Sequence, residues 1–530
     1  MTTNVLATNS RKRLRSRVRD SGERRFRSFD WDRIAQEKEQ CRILDFSVRP
    51  LCSLCLCGYR KDTDNDHRDT ENTEVAQRRI QIRALPENGL TSRTKGESMR
   101  HLIATLFLVV VCCTTVVATT YQVGPTRTFT KLQDVAALLQ PGDLVEVDGN
   151  ATYPGNLIFT QPGTDVNKIT IRGIRVNGLR PVISGGTNTV EFRLSHHYVF
   201  EGFDVTGGSF RGIYHHAHDI TLRDCVVHDC PAHGILGADT DSGSLLMEYV
   251  EVYHCGNGTG QHPVYMATDE FTHPGSVFRM QYCYLHDQNG GNNIKSRAER
   301  NEIYYNWVSG GFYGEIELIG PDPHGNKNVN TDTAREDSDV VGNVFQHVPT
   351  QGTRMARVGG DGTGHTNGRY RFVNNTFILR QGQVSPGVEI FEGIESLEMH
   401  NNVFFRVGGA AIDKVVLETR VRWVSGRVST GSNNWVPTGS ALIPTAWTGT
   451  VLGTNPGFTN IATYDVRPIA TSPLVNAGNG APQSPAGHPF ISPLFPPAFI
   501  PPLHTALAVG TAQARPVFGA IDIGAYEYTP

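Results

Sequence analysis

The sequence carries little net charge, which limits the partners it can have. Its 530 residues include 49 Lys and Arg against 52 Asp and Glu, a formal net charge of −3. A charge this small gives no field that would draw the chain to nucleic acid. The sequence also shows no phosphate loop, nucleotide-binding fingerprint or Ser–His–Asp signature, so it does not indicate a nucleotide-dependent enzyme or a serine hydrolase.

Amphipathic helical patterns are nearly missing from residues 196–405, which argues against a helical solenoid. In their place are short runs in which apolar and polar residues alternate, as in 371–377, broken by Gly, Asn, Asp or Pro. The 55 glycines and 29 prolines suit a protein rich in turns. The composition therefore predicts an all-β fold.

The short runs align into two ladders of repeated positions. The first ladder is Phe203, Cys225, Val250, Cys283, Asn306, Asn343, Asn375 and Asn402. The second lies two residues later at Val205, Val227, Val252, Leu285, Val308, Phe345, Phe377 and Phe404. One such unit cannot bury its own apolar face, so neighbouring units must stack. This predicts a parallel β-helix. A β-propeller fits less well, because each of its blades needs about 40 residues or more. Buried Asn amides on successive coils are expected to hydrogen-bond to one another.

The N-terminal part of the sequence differs from the rest. Residues 1–98 are Arg-rich and polar, and we interpret them as a disordered basic segment or as no part of the true protein. Met99 then begins a short basic stretch, an apolar run at 102–117 and small residues up to 120, the pattern of a signal peptide. The alternative is a membrane anchor that retains 102–117. We expect a monomer that is secreted, periplasmic or on the cell surface.

The ladders divide the remaining chain into two parts. Residues 121–420 are predicted to form the β-helix, whose N-terminal end is capped by an amphipathic helix at 130–139 with Leu132, Val135, Leu138 and Leu139 on one face. Residues 421–530 lose the ladder and become Pro-rich. We expect them to form an irregular extension that packs on the β-helix, with a strand-like end at 522–528.

Cys230 and Cys255 each lie five residues after a first-ladder position, on adjacent coils. Adjacent strands are about 4.8 Å apart, within the Cα range of about 4.4–6.8 Å for disulfides. The sequence thus permits a disulfide in an exported protein. The alternative is two small side chains packed at a turn.

The ladders, the helix-capped start and the closing run at 522–528 resemble secreted right-handed parallel β-helix repeat proteins of the pectate-lyase-like superfamily. The resemblance covers roughly residues 121–530. The segment 293–298, Asn-Ile-Lys-Ser-Arg-Ala, is similar to a coil found in one uncharacterised bacterial branch of that superfamily. More loosely, it resembles β-helix polysaccharide lyases that use a Lys and an Arg in their cleft. The resemblance implies a right-handed parallel β-helix and an activity on carbohydrate.

Register places several of the candidate residues on one outward face. If Ile294 points inward and aligns with Ile316 and Val264 on the neighbouring coils, Lys295 lies between Tyr265 and Glu317. The candidate catalytic residues are Lys295, Arg297, Tyr265, His262 and Glu317. The candidate residues for binding substrate are Arg354, Arg357, Glu315 and Asp361.

This strip predicts β-elimination on an acidic polysaccharide. Lys295 would remove the C5 proton, Arg297 or Arg357 would hold the carboxylate, and Tyr265 or His262 would protonate the leaving oxygen. The alternatives are a uronate epimerase, an inverting hydrolase using Glu315 and Glu317 about 6.5–7 Å apart, and a non-catalytic binding or adhesin-like solenoid. A further alternative is that the strip is a cross-coil ion-pair ladder that only holds the register between coils.

The sequence does not require a cofactor. Calcium is an alternative that the resemblance allows, since Asp239, Asp241 and Asp361 could offer it oxygen ligands. No calcium-binding repeat motif is present in the sequence.

Overall fold

The computed structural model describes residues 118–237, 239–320, 335–348, 354–361, 365–382, 386–419 and 423–530. The predictions for 1–98 and for the apolar run at 102–117 lie outside the described residues. Among the described residues, no helix is long and apolar enough to cross a membrane.

Three parallel sheets, named A, B and C here, make up the fold in the described ranges. The strands of sheet A are Thr120–Val123, Leu144–Asp148, Ile169–Ile174, Tyr198–Glu201, Ile220–Arg223, Leu245–Glu248, Val277–Gln281, Arg300–Tyr304, Asp337–Val341, Arg369–Val373, Ser396–His400, Ser429–Ser432 and Trp447–Thr448. The strands of sheet B are Thr152–Pro154, Val182–Ser184, Asp204–Thr206, Val226–His228, Glu251–Tyr253, Tyr284–His286, Trp307–Ser309, Val344–His347, Thr376–Leu379, Val403–Arg406, Trp435–Pro437 and Val451–Gly453. The strands of sheet C are Leu157–Phe159, Asn188–Arg193, Arg211–His216, His233–Gly237, Val264–Ala267, Asn292–Arg297, Gly314–Leu318, Ala356–Val358, Val388–Ile390 and Val416–Glu418.

From Leu144–Asp148 to Val416–Glu418, each coil of the chain contributes one strand to sheet A, then one to B and one to C, before it returns to A. All neighbours within these sheets pair in parallel, as stacked coils must. The right-handed parallel β-helix that the sequence predicts is confirmed, and right-handed crossovers are the rule for parallel strands.

Both ladders lie where the sequence places them. Val205, Val227 and Val252 pair in register, and the same column continues through Phe345, Phe377 and Phe404. These side chains are fully buried in the continuous core between the sheets. The alternation of apolar and polar residues is therefore sufficient to fix which face of each strand turns inward.

The Asn ladder forms the expected chain of hydrogen bonds. The Asn306 side chain donates to Oδ1 of Asn343 at 2.9 Å, and Asn343 donates to Asn375 at 3.0 Å. The chain continues through Asn402 to Asn434, one coil beyond the ladder read from the sequence. Each amide also bonds to backbone groups, so these polar side chains are satisfied inside the core.

The N-terminal cap is smaller than predicted. The helix spans only Gln133–Ala136, and Leu138, which was expected on its buried face, is 48% exposed. Leu132, Val135 and Leu139 are buried as expected. One helical turn is enough to bring these three side chains onto the end of the core, and the chain turns before Leu138 can join them.

The β-helix extends beyond residue 420, where the sequence analysis expected the ladder to end. Ser429–Ser432 and Trp447–Thr448 add to sheet A, and Trp435–Pro437 and Val451–Gly453 add to sheet B. These coils were missed because Ser429–Ser432 has no apolar alternation. Its Gly431 lies against the Trp447 ring, which supplies the apolar surface instead.

The chain after Gly453 packs on the outer faces of sheets A and B. It contains an antiparallel pair, Phe458–Asn460 with Asp465–Pro468, joined through a 3-10 helix at Ile461–Thr463. Its apolar side chains cover residues such as Trp307, Val344 and Tyr305.

The closing run at 522–528 is not a strand, contrary to the expectation. The Arg515 guanidinium binds the carbonyl oxygens of residues 522, 524, 525 and 526, together with the Glu527 carboxylate. These carbonyls therefore accept hydrogen bonds from a side chain rather than from the backbone amides of a neighbouring strand.

The two tail clusters at Trp307 and Tyr305 lie on sheets A and B, whereas the candidate residues lie on sheet C.

Candidate functional site

The predicted strip forms a column of side chains across neighbouring strands of sheet C. Tyr265 pairs with Lys295, Lys295 pairs with Glu317, and Glu317 pairs with Arg357. The inward positions between them are filled by Ile294 and its equivalents, so these four side chains point away from the core. The register inferred from the sequence is therefore the one that the structure has.

Lys295 lies at the centre of this column. Its Nζ is 3.8 Å from a carboxylate oxygen of Glu317 and 3.6 Å from one of Asp361, and it lies 5.2 Å from the centroid of the Tyr265 ring. The Lys295 side chain is 14% exposed. The amine is thus sheltered but open to solvent, between two acids and one phenol.

Glu317 is bound mainly by other partners. Arg357 contacts one of its carboxylate oxygens, and Nη1 of Arg354 lies 3.2 Å from the same oxygen. Asn292 donates to the other oxygen at 2.7 Å. Two guanidinium groups therefore offset the charge of Glu317 more closely than Lys295 does.

Arg297 is buried, and it does not lie on the exposed strip as expected. Its Nε donates to the Tyr265 hydroxyl at 2.9 Å, Nη2 donates to Asp361 at 2.6 Å, and Nη1 donates to the carbonyl of Gly320. Its side chain is 3% exposed. Arg297 thus fixes Tyr265 and Asp361 in place, and two arginines nearer the surface are the better candidates for binding a substrate carboxylate.

Arg354 and Arg357 are these arginines, and each is supported by an aromatic ring. Arg354 lies 4.8 Å from the Tyr313 centroid and donates to its hydroxyl at 2.9 Å, and Arg357 lies 4.8 Å from the Phe391 centroid. Burial lowers the pKa of Arg357 from its usual value, although an arginine at this site stays charged at neutral pH.

His262 is a neutral imidazole in this site. It is almost fully buried, and its Nδ1 accepts a hydrogen bond from the amide of Asn292 at 2.9 Å. Burial holds the pKa of His262 well below its usual range, and the charges of Lys295 and Arg297 lower it further. A histidine that stays neutral cannot donate a proton as an imidazolium ion. Tyr265 is therefore the better candidate for the acid that protonates the leaving oxygen.

Glu315 does not reach the strip. It is fully buried, and its carboxylate binds Asn293 at 2.6 Å, His347 at 2.8 Å and the amide of Gly311 at 3.1 Å. The segment containing Gly311 and the end of strand Val344–His347 enclose it, so alternation along its own strand did not give its exposure. The carboxylate pair of Glu315 and Glu317 proposed for hydrolysis is therefore not presented together to solvent.

Cys230 and Cys255, the pair that the sequence permits to form a disulfide, are buried free thiols in this structure. Their pairing in exported protein stays a prediction.

The acids named for calcium do not form a group of metal-ligating atoms within the described residues. Asp361 binds Arg297 and Lys295 instead. In that part of the chain, the one group of metal-ligating atoms is Asp165, His197 and Asp219, whose atoms lie within 4.8 Å of one another. No catalytic step is therefore assigned to calcium.

Sequence reasoning missed several residues of the site. Glu389 pairs in register with Arg357, so extending the same column by one coil would have found it. Asn292 was on the central strand but was given no role, and it orders both Glu317 and His262. Tyr313 and Phe391 lie outside the strands of sheet C, where repeat spacing gives no signal.

No family model matches the sequence, and no curated protein matches it. Among solved structures, pectate lyase Pel9A is similar at 13% identity, with a TM-score of 0.43, over 78% of this chain and 96% of that one. The alginate lyase from Paenibacillus sp. is 16% identical, with a TM-score of 0.36, over 57% and 99%. The PL6 family polysaccharide lyase Pedsa3628 from Pseudopedobacter saltans is 12% identical, with a TM-score of 0.38, over 63% and 92%. The likeness is one of fold.

Proposed function

We propose that this chain is a carbohydrate-active β-helix protein, and more narrowly a polysaccharide lyase that cleaves an acidic polysaccharide by β-elimination. The observation that carries the proposal is the position of the Lys295 amine. It lies on the outer face of sheet C, between the ring of Tyr265 and the ion pair of Glu317 with Arg357. A base, an acid and a carboxylate-binding cation are then lined up along one column.

In β-elimination on a uronate, a base takes the proton from C5 and the bond between C4 and the glycosidic oxygen breaks. A double bond forms between C4 and C5, and the leaving oxygen takes a proton from an acid. Lys295 serves as the base in its neutral amine form, and the Tyr265 hydroxyl serves as the acid. The Tyr265 hydroxyl is oriented by Nε of Arg297.

The charges around Lys295 decide how readily it gives up its own proton. Glu317 and Asp361 favour the ammonium form, whereas the positive charges of Arg297, Arg354 and Arg357 oppose it. Glu317 and Asp361 also bind guanidinium groups, which offset part of their negative charge. The two carboxylates therefore favour the ammonium form of Lys295 less strongly than they would alone. A substrate carboxylate bound to Arg354 or Arg357 would be neutralised as negative charge develops during removal of the C5 proton.

A non-catalytic carbohydrate-binding solenoid is the second candidate. Charge alternates along the column from Lys295 to Glu317, Arg357 and Glu389. A column of this kind also holds register between coils without any chemistry. An epimerase would use the same base and carboxylate-binding groups as a lyase.

We further propose that the protein is exported, on the basis of the signal-like segment from Met99 to Thr120. Expression from Met99 followed by N-terminal sequencing of the secreted product tests this. A mature N-terminus close to residue 120 is expected, and retention of the apolar run in a membrane fraction would contradict it.

The activity is tested by incubating the exported protein with a panel of uronate polysaccharides. Ultraviolet absorbance from new unsaturated chain ends is the result expected of a lyase. New reducing ends without that absorbance would indicate hydrolysis, and inversion at C5 without cleavage would indicate an epimerase. Binding with no chemical change would establish a recognition solenoid and overturn the catalytic proposal.

A further inference from the structure

Arg211 lies at the start of strand Arg211–His216 on sheet C, the sheet that carries Lys295. Its guanidinium carbon is 4.0 Å from the centroid of the Phe210 ring and 4.0 Å from that of the Tyr214 ring. Two aromatic contacts of this kind hold the planar group in one orientation through cation–π attraction. Arg211 is therefore fixed in place before any ligand arrives.

Arg211 has no carboxylate within ion-pair distance among the described residues. Its Nη1 donates to Oδ1 of Asn188 at 3.1 Å, and its buried Nε has no hydrogen-bond partner there. The neighbouring Glu191 carboxylate is bound by Arg193 and His216 instead. A half-buried cation with unmet donors is costly, and an anion that binds it offsets that cost.

A row of neighbouring rings on sheet C links Arg211 to Lys295. The Phe210 ring lies 6.0 Å from the ring of His233, which lies 6.1 Å from that of Tyr265, the neighbour of Lys295. His233 itself is buried, and burial lowers its pKa to about 4, so this ring adds no charge between the two sites at neutral pH. Arg211 lies three coils before the strand of Lys295, about 14 Å along the helix axis, and three residues nearer the start of its strand than Tyr214, which is in register with Lys295.

We propose that Arg211, Phe210 and Tyr214 form a subsite for a second carboxylate-bearing sugar of the bound chain, a few sugar units away from Lys295. The guanidinium donates hydrogen bonds to the carboxylate, and the exposed edge of the aromatic pair packs against the sugar ring. The inference rests on the proposed function for the nature of the chain. It adds that the substrate is long and that it runs along the helix axis over sheet C.

The test is calorimetric binding of uronate oligosaccharides of increasing length to full-length protein carrying Lys295→Ala, which prevents turnover. We expect affinity to rise with length until the oligosaccharide spans both sites. Arg211→Ala should then weaken binding of a long oligosaccharide about tenfold or more, and leave binding of a dimer unchanged. Arg211→Lys, which keeps the charge but loses the planar fork, should give an intermediate loss for the long oligosaccharide only.

Arg172→Ala is the matched control, since this exposed arginine pairs with Glu201 on sheet A. Its affinities should equal those of the parent, and thermal unfolding shows whether each variant is folded. An equal loss for dimer and long oligosaccharide, or no loss for either, would overturn the subsite. Length-dependent binding without turnover in wild-type protein would retain the subsite and reject the lyase, whereas turnover without length dependence would do the reverse.

Discussion

Lys295 and Glu317 lie directly opposite each other on neighbouring strands, and the Lys295 amine is 3.8 Å from the Glu317 carboxylate. Arg354 and Arg357 lie closer to that carboxylate than Lys295 does. Glu317 therefore has its charge offset without Lys295. A lysine whose acidic neighbours are satisfied by other cations is easier to deprotonate than one in an isolated ion pair. The proposal that Lys295 is the base depends on this sharing of Glu317, because an isolated Lys295–Glu317 pair would favour the ammonium form.

Replacing Arg357 by Lys should impair the handling of the substrate carboxylate. Lysine keeps the positive charge beside Glu317 but loses the planar pair of donors that fits a carboxylate. We expect kcat/KM on a uronate polysaccharide to fall about 10- to 100-fold in steady-state assays. Arg279→Lys, at an exposed arginine paired with Glu302 on sheet A, is the control and should match the wild type. Equal kinetics for both variants would remove Arg357 from the site.

A pair of variants distinguishes Tyr265 from His262 as the acid that protonates the leaving oxygen. Tyr265→Phe removes the hydroxyl that Arg297 orients, and should lower kcat about 100- to 10,000-fold if the phenol is the acid. His262→Gln should lower kcat far less, because burial and nearby cations keep this imidazole neutral. Measuring kcat for both variants checks the assignment. A larger loss in the His262 variant would reverse it.

Asn343→Ala should destabilise the β-helix by about 2–4 kcal/mol. The change removes an acceptor for Asn306 and donors to Asn375 and the carbonyl of Ile303, which leaves buried polar groups without partners. Chemical denaturation followed by circular dichroism measures the loss. Asn167→Ala, on an exposed turn, is the control and should change stability little. A small effect of Asn343→Ala would mean that the ladder contributes little to stability.

The raised pKa of Glu270 predicts that the free energy of unfolding falls as the pH rises. Burial, together with the negative charges of Glu299 and Asp269, raises the pKa of Glu270 from 4.5 to about 7. Between these two pH values the folded state binds more protons than the unfolded chain, so the free energy of unfolding decreases from about pH 4.5 to pH 7. The contribution of this one group is up to about 3 kcal/mol.

Denaturation of wild type and Glu270→Gln across this pH range checks the prediction. The Gln variant should be relatively more stable at pH 8 than at pH 5, because its side chain has no proton to lose. Glu146→Gln, on the first coils of sheet A, is the control and should keep the wild-type pH dependence. Parallel pH curves for wild type and Glu270→Gln would contradict the assigned shift.

The sequence predicted the features that recur from coil to coil. Lys295, Tyr265 and Glu317 could be aligned because buried residues such as Ile294 and Ile316 recur at equivalent positions. The exposure of Glu315 could not be read in this way, because residues outside its strand cover it.

The role of Arg211 depends on contacts that no repeat spacing encodes. It needs Phe210 before the strand and Tyr214 within it to lie against one guanidinium. Within the part of the chain that the structure describes, its lack of a carboxylate partner also follows from how Glu191 is shared between Arg193 and His216. Pair contacts of this kind are set by side-chain packing rather than by the pattern of apolar residues.

The most direct test of the account compares Lys295→Ala and Lys295→Arg with Lys168→Ala, which removes an ion-paired lysine on a different surface. Arginine keeps the positive charge beside Glu317 and Asp361 but cannot be deprotonated to act as a base. Formation of unsaturated ends from a uronate polysaccharide should fall at least 100-fold in both Lys295 variants and persist in Lys168→Ala. Full activity in Lys295→Arg would show that Lys295 supplies only charge, and would contradict its role as the base.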